Sequence, residues 1–426
     1  MKNPCYKYYF RVVAMGVFCS MIACSPRQEN NSGQMKSIYQ QGTYGYDVAF
    51  LVRHNIDFTE LKEPGSEATV MVVPGFQGRV MTSSVSGNEG KSYGWINYSF
   101  IESGETNDQF NPFGGEERLW LGPEGGPFSV YFEKGEKQEF SNWNVPGEID
   151  TDTYDIISRT PGSVWFRKHF SLTNASGTTF QIGIERRVRI LSGEDAESAF
   201  SVRLDSALSF VGYESVNILE NRGDFDWDTS TGTLSIWMLS MFNPSEKGVV
   251  LMPYKTGEES ALGQIVTDDY FGKVPSDRLI IRNGILLFRT DGKYRSKIGL
   301  SPLRALPYCG SYDPESNVLT LLQYSMPETA SLYVNSKWGD QKDPFRGDVL
   351  NAYNDGPVED GSIMGPFYEI ESSSPAALIP PGGQISHVQR IFHITGEENR
   401  LSFIMEQLFG VSPAEIIDAF SDQELN

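Results

Sequence analysis

From Val48 to about Ile394 the hydrophobic positions fall in short segments, some alternating with polar residues and some in compact apolar runs. Gly, Pro, Asn and Asp separate them. A period of two sends successive side chains to opposite faces of a strand, so this pattern predicts half-buried sheet. Phe180 to Ile190 alternates best and predicts Ile182, Ile184, Val188 and Ile190 facing inward. Ala68–Val73, Val164–Leu172, Thr233–Leu239, Leu279–Ile281, Val318–Tyr324 and Gln389–Ile394 read as further strands. So does Ile285–Phe288, just past Asn283-Gly284. β-branched and aromatic residues at this spacing suit a pleated surface.

The last thirty residues change period. Leu401, Ile404, Met405, Leu408 and Phe409 recur at steps of three and four, a helical stripe that Gly410 stops. Ser412, Pro413 and Glu415 then form a capping box ahead of Ile416, Ile417 and Phe420. The expectation is a short helical extension, residues 397–426, packed on the sandwich edge of a monomer. A dimerisation element is the alternative.

No repeat of fixed period appears, which argues against a propeller or solenoid. Strands do not alternate with ten-residue helices, which argues against a doubly wound fold. An all-β body of packed antiparallel sheets over residues 42–396 remains. Glu102–Pro127 and Lys337–Pro366 are too long for hairpin turns and read as loops of the kind that carry chemistry.

The amino terminus reads as an address. Lys2, Lys7 and Arg11 precede the apolar run Val12–Ala23, the form of a secretory signal over residues 1–23 and too short to span a bilayer. Met21-Ile22-Ala23-Cys24 resembles the lipobox of bacterial lipoproteins, which makes Cys24 the lipidated residue. A plain secretory signal is the alternative. Residues 24–41 are polar and read as a tether. The expected location is the cell envelope, lipid-anchored on the periplasmic side or the outer-membrane surface.

The chain has 426 residues and a formal net charge of -20, which disfavours nucleic acid and anionic membranes as partners. Of its 4 cysteines, Cys5 and Cys19 lie in the signal and Cys24 at the lipobox, leaving Cys309. A disulfide framework or thiolate metal centre is therefore excluded in the processed chain.

Acid/base chemistry needs paired proton-handling groups, and an aromatic face can hold an apolar ring face. Glu116, Glu117, Arg118, Trp120 and Glu124 lie within nine residues. The functional reading takes Glu116 or Glu117 as acid, Arg118 as partner of a carboxylate or hydroxyl, and Trp120 as stacking platform. The competing reading is a structural ion pair with Trp120 in the core. Glu369 and Glu371, two apart on a strand, share one face with Phe367. Trp338, Asp340, Arg346 and Tyr353 belong to a stretch rich in hydroxyl-binding groups, suited to substrate binding. Asp340, Asp343, Asp348 and Asp355 could supply a Ca²⁺ site, though without EF-hand spacing; no other metal or cofactor is expected. His169 and His387 are further catalytic candidates, whereas His393 alternates with Phe392 toward an outer face.

The order of segments resembles the galactose-mutarotase-like supersandwich, and most nearly an uncharacterised family of Bacteroidota lipoproteins in that superfamily. The resemblance covers roughly Val48 to Thr395 and rests on Val73–Ser83, Phe113–Gly126, Val164–Asn174, and Gly365–Glu371 with Leu378–Gly383. It implies that Glu369 falls on the catalytic glutamate and Glu371 where a Gln is usual. The second stretch carries no histidine, and His169 lies within its strand. The superfamily also holds lyase, glycosidase and binding members, so the implied function is an exported carbohydrate-active protein using carboxylate general acid/base chemistry as an epimerase, lyase or glycosidase. A non-catalytic glycan-binding lipoprotein is the alternative, and a scaffold of an outer-membrane complex a third reading.

Overall fold

The computed structural model describes residues 38–329, 331–358 and 361–420. The expected signal, Cys24 and most of the tether lie outside them. Antiparallel pairing builds three sheets. The largest has ten strands, in the order Leu279–Arg282, Ile285–Arg289, Val249–Pro253, Tyr308–Asp313, Val318–Tyr324, Gln384–Thr395, Ser209–Asn221, Thr179–Ile190, Ser163–Thr173 and Asp155–Thr160. A second sheet has five: Ser296–Leu300, Leu350–Asn354, Tyr368–Ser373, Ser235–Phe242 and Arg118–Gly122. Thr59–Lys62, Thr69–Val73 and Arg79–Ser84 form the third.

Side-chain parity explains the layering. In the five-stranded sheet Tyr368, Ser372 and Ser240 point toward the large sheet. The Tyr368 hydroxyl meets Ser311 at 2.7 Å, and Ser372 and Ser240 bond Gln389 at 2.7 and 3.1 Å. Their neighbours Glu369, Glu371, Trp237, Arg118 and Lys297 therefore project from the opposite face. The predicted inward set on Thr179–Ile190 is buried, Ile184 and Val188 completely.

Part of the large sheet is apolar on both faces. Val250, Leu286 and Leu322 join the inter-sheet core, while Leu251, Leu287, Leu319 and Leu321 pack against Leu401, Ile404, Met405 and Phe409. Those four belong to the helix Glu398–Phe409, whose end is capped by Gly410 in a left-handed conformation. The helix Pro413–Ala419 follows with its Ser412–Glu415 capping box. The helical extension thus covers the outer face of this chain's own sheet.

Three features depart from the expectation. A helix, Tyr44–Arg53, opens the body and buries Phe50 and Leu51 against Met71, Val73 and Met81 of the three-stranded sheet. A second, Gly193–Phe200, starts with a Ser192–Asp195 capping box. The two long stretches read as loops contain the strands Arg118–Gly122 and Leu350–Asn354. Among the described residues no helix is long and apolar enough to cross a membrane.

Candidate functional site

The face of the five-stranded sheet turned away from the large sheet gathers charged side chains that are almost withdrawn from water. Arg118 donates from Nη2 to Glu369 Oε1 at 3.0 Å. One residue pair along the same strand, Glu371 Oε2 accepts from Lys297 Nζ at 2.8 Å and from the Trp237 indole at 2.9 Å. Arg118 lies over the Trp120 ring at 4.2 Å, and Lys297 over Trp237 at 5.2 Å and Tyr270 at 5.5 Å. Glu369 is 6% exposed and Glu371 1%. Charges this deep persist only when paired. Even so, the Nε and Nη1 atoms of the buried Arg118 find no partner, which leaves hydrogen-bond donors at this face.

Burial pushes the Glu369 carboxyl up to about 7; Arg118 opposes this and the Glu371 charge adds to it. Withdrawal from water likewise takes the partly exposed Glu124 up to about 7, with Lys297 pulling it back and Glu371 adding to the rise. Burial works against the Lys297 charge, but Glu371 and Glu124 outweigh it and hold the ammonium above its usual range. Asp348 and Asp355 are raised by burial too, in spite of hydrogen bonds from Tyr270 and Tyr353. Five carboxyls, those of Glu124, Glu369, Glu371, Asp348 and Asp355, thus share four cations, Arg118, Lys297, Arg295 and Lys337, the last also paired with Asp269. Such a group retains a proton near neutrality, and a retained proton can be donated.

Loops lace the rim. Gln138 Oε1 accepts from the backbone N–H of Gly126 at 2.8 Å and of Gly339 at 2.6 Å, joining the Glu124 turn to the Trp338 loop. Gly125 fits this junction because a Cβ there would stand 2.4 Å from the Lys337 carbonyl oxygen. Lys337 reaches Asp269 at 2.6 Å, and Tyr270 donates to Asp348 at 2.6 Å. Phe271, under the Arg295 guanidinium at 4.0 Å, and Trp338 are the exposed aromatics of the rim.

The site therefore unites Glu369, Glu371, Arg118, Glu124, Trp338 and Tyr353 from the sequence reading. Tyr353 lies on the same face, its hydroxyl 2.8 Å from Asp355. Asp340 and Arg346 are exposed residues of the neighbouring loop. Among the described residues no cluster of three or more His, Cys, Asp or Glu is arranged to hold a metal ion.

Other candidates are placed elsewhere. Glu117 is fully buried between the sheets, bonded by Arg186 at 2.7 Å, Gln389 at 2.8 Å and Ser215 at 3.1 Å. Glu117 precedes the strand Arg118–Gly122 and bridges to Val80 of the three-stranded sheet. Glu116 is also fully buried, bonded to Ser83 at 2.8 Å and to His393 at 3.0 Å. His393 is thus interior, not on an outer face. His387 contacts Ser372 at 2.8 Å inside the sandwich, and burial lowers its pKa to about 3, leaving the ring neutral. His169 is exposed on the solvent face of the strand Ser163–Thr173. Trp120 is no open platform: it packs among Phe110, Tyr131, Trp143 and Trp237.

Sequence reasoning missed Lys297, Trp237 and Tyr270. Lys297 lies in the unremarkable strand Ser296–Leu300, and nothing local marks it as buried. Trp237 carried a signal, since an indole alternating with Met238 on a strand must face one layer or the other.

A search of curated proteins finds no match. Among solved structures, a protein from Synechocystis sp. PCC 6803 has 12% identity and a TM-score of 0.49, over 80% of this chain and 96% of that one. A galactose mutarotase-like protein from Lactobacillus casei has 10% identity and a TM-score of 0.45, over 79% and 100%. A galactose mutarotase related enzyme from Lactobacillus acidophilus has 8% and 0.41, over 79% and 97%. Likenesses this distant fix neither substrate nor reaction. A family profile, by contrast, matches residues 42–420, the whole of the β body and its helical extension. The chain belongs to that family, DUF6786, a family of unknown function.

Proposed function

We propose that the outward face of the five-stranded sheet binds a carbohydrate and that Glu369 transfers a proton to or from it. The observation that carries this reading is the Glu369 carboxyl, pushed up to about 7 while held 3.0 Å from Arg118. A carboxyl titrating near neutrality can act in either direction of proton transfer. The unpartnered donors of Arg118 suit a sugar hydroxyl, and the exposed ring of Trp338 suits the apolar face of a sugar. The sequence stretches that resemble the mutarotase-like superfamily favour the same substrate class. Epimerisation, elimination and hydrolysis all use such a group.

Glu369→Gln keeps the shape and removes the proton. Turnover should fall by about 100-fold or more in mutarotation and glycan-cleavage screens, with sugar binding retained. Turnover at the wild-type rate would refute the assignment. Binding of sugars by the wild type with no turnover of any would leave the rival reading, a non-catalytic glycan-binding protein.

The same proposal places the body outside the cytoplasm as a monomer, tethered by lipid on Cys24. The basic and apolar run before Met21-Ile22-Ala23-Cys24 supports it. Cells expressing the chain with a fatty-acid label should incorporate it into the wild type and not into Cys24→Ala. Equal labelling of both would exclude this anchor.

A further inference from the structure

We infer that Glu124 is the second functional carboxyl of the site and serves as the general acid opposite Glu369 acting as base. The inference rests on the carbohydrate reading above and adds a residue to it. Glu124 follows Gly122-Pro123 at the end of an edge strand, where a side chain would ordinarily face solvent. Here the backbone is pinned on both sides. The Glu124 N–H donates to Ser336 Oγ at 3.2 Å, and the Ser129 hydroxyl donates to the Glu124 carbonyl. Gly125 packs against the Lys337 carbonyl and Trp338 Cα, an approach that any Cβ would block. The turn thereby brings the carboxyl within electrostatic range of Lys297 and Glu371, two groups that also act on Glu369.

Several groups compete for charge there. Lys297 is bonded to Glu371 at 2.8 Å, so it is not reserved for Glu124. Trp338 lies within hydrogen-bonding reach of the Glu124 carboxyl, and Arg295 within electrostatic reach. Unlike Glu369, which is tied to Arg118, Glu124 is partly exposed at the rim beside an exposed aromatic ring. It is thus placed to meet a ligand from the solvent side, while Glu369 meets it from the sheet. Glu116, Glu117 and His387, enclosed between the layers, leave this role open.

In the step proposed, the Glu124 O–H bond breaks and its proton passes to a sugar oxygen as that oxygen's bond to carbon breaks, the oxygen keeping the bonding pair. Glu369 accepts the proton of the attacking water or of the substrate hydroxyl, so one proton is given and one taken.

The test is the pH profile of kcat between pH 5 and 9 for wild type, Glu124→Gln, Glu369→Gln and Trp338→Phe, on reducing hexoses and aryl glycosides. An acid must be protonated to act, so loss of Glu124 should remove the alkaline limb and lower kcat about 100-fold with little change in KM. Loss of Glu369 should remove the acid limb instead. Trp338→Phe leaves the carboxyl in place but removes the indole N–H, the group within reach that favours its ionised form, so the alkaline limb should move to higher pH. This variant also keeps the inference testable should Glu124→Gln fold poorly. Retention of both limbs and of kcat in Glu124→Gln, or an unmoved limb in Trp338→Phe, would overturn the role of Glu124 while leaving Glu369 in place. Neither binding nor turnover of any sugar by the wild type would instead overturn the carbohydrate reading and this inference together.

Discussion

Glu369 and Glu371 stand two apart on one strand and each meets a cation, yet their surroundings differ. Glu371 accepts from both Lys297 and the Trp237 indole, whereas Glu369 has one Arg118 contact on Oε1. Burial takes Glu369 from its ordinary 4.5 up to about 7, so the folded chain holds a proton that the unfolded chain has already released across that window. Its contribution to stability is therefore present below about pH 4.5 and is lost as pH rises through about 7. Glu369→Gln should make the decline in unfolding free energy shallower by about 1.4 kcal/mol per pH unit in that range. Urea denaturation at pH 5, 6 and 7 checks it; equal slopes for variant and wild type would show that the carboxyl is not raised. The shared face of this pair was legible from the period of two alone. The fate of Glu116 and Glu117 was not, because they precede the strand and pair instead with Met81 and Val80 of the three-stranded sheet, a contact that no local residue reports.

Elements apolar on one face or on both announced themselves, and those set by long-range contacts did not. Val318–Tyr324 matches its sequence reading because one parity packs into the inter-sheet core and the other against the helical extension. Arg118–Gly122 was hidden: Leu-Trp-Leu is a short apolar run, and the glycines before it read as loop. Pairing with Ser235–Phe242, more than a hundred residues away, makes it a strand. The helical extension gives a test at this scale. Leu401 is fully buried and Phe403 is 53% exposed on the same helix. Leu401→Ala should cost about 2–5 kcal/mol and Phe403→Ala about 0.5 kcal/mol or less, read from urea midpoints. Similar losses for both would mean that the helix does not dock as described.

At the scale of the whole molecule, the sandwich separates two kinds of buried charge. Between the layers, Arg186 and Glu117 are bonded on every side, which fixes the register of the sheets and leaves nothing for a ligand. On the outward face of the smaller sheet, Arg118 keeps free donors among carboxyls that outnumber their cations. If the face binds a carbohydrate as proposed, the excess of carboxyls favours neutral sugars over uronates, because a further carboxylate would enter a site where acids already outnumber cations. The most direct measurement is a crystal structure of the Glu369→Gln protein soaked with neutral mono- and oligosaccharides. The account predicts a sugar on the outward face of the five-stranded sheet, with a hydroxyl at Arg118 and a ring against Trp338. A sugar held elsewhere, or an empty face after every soak, would contradict it.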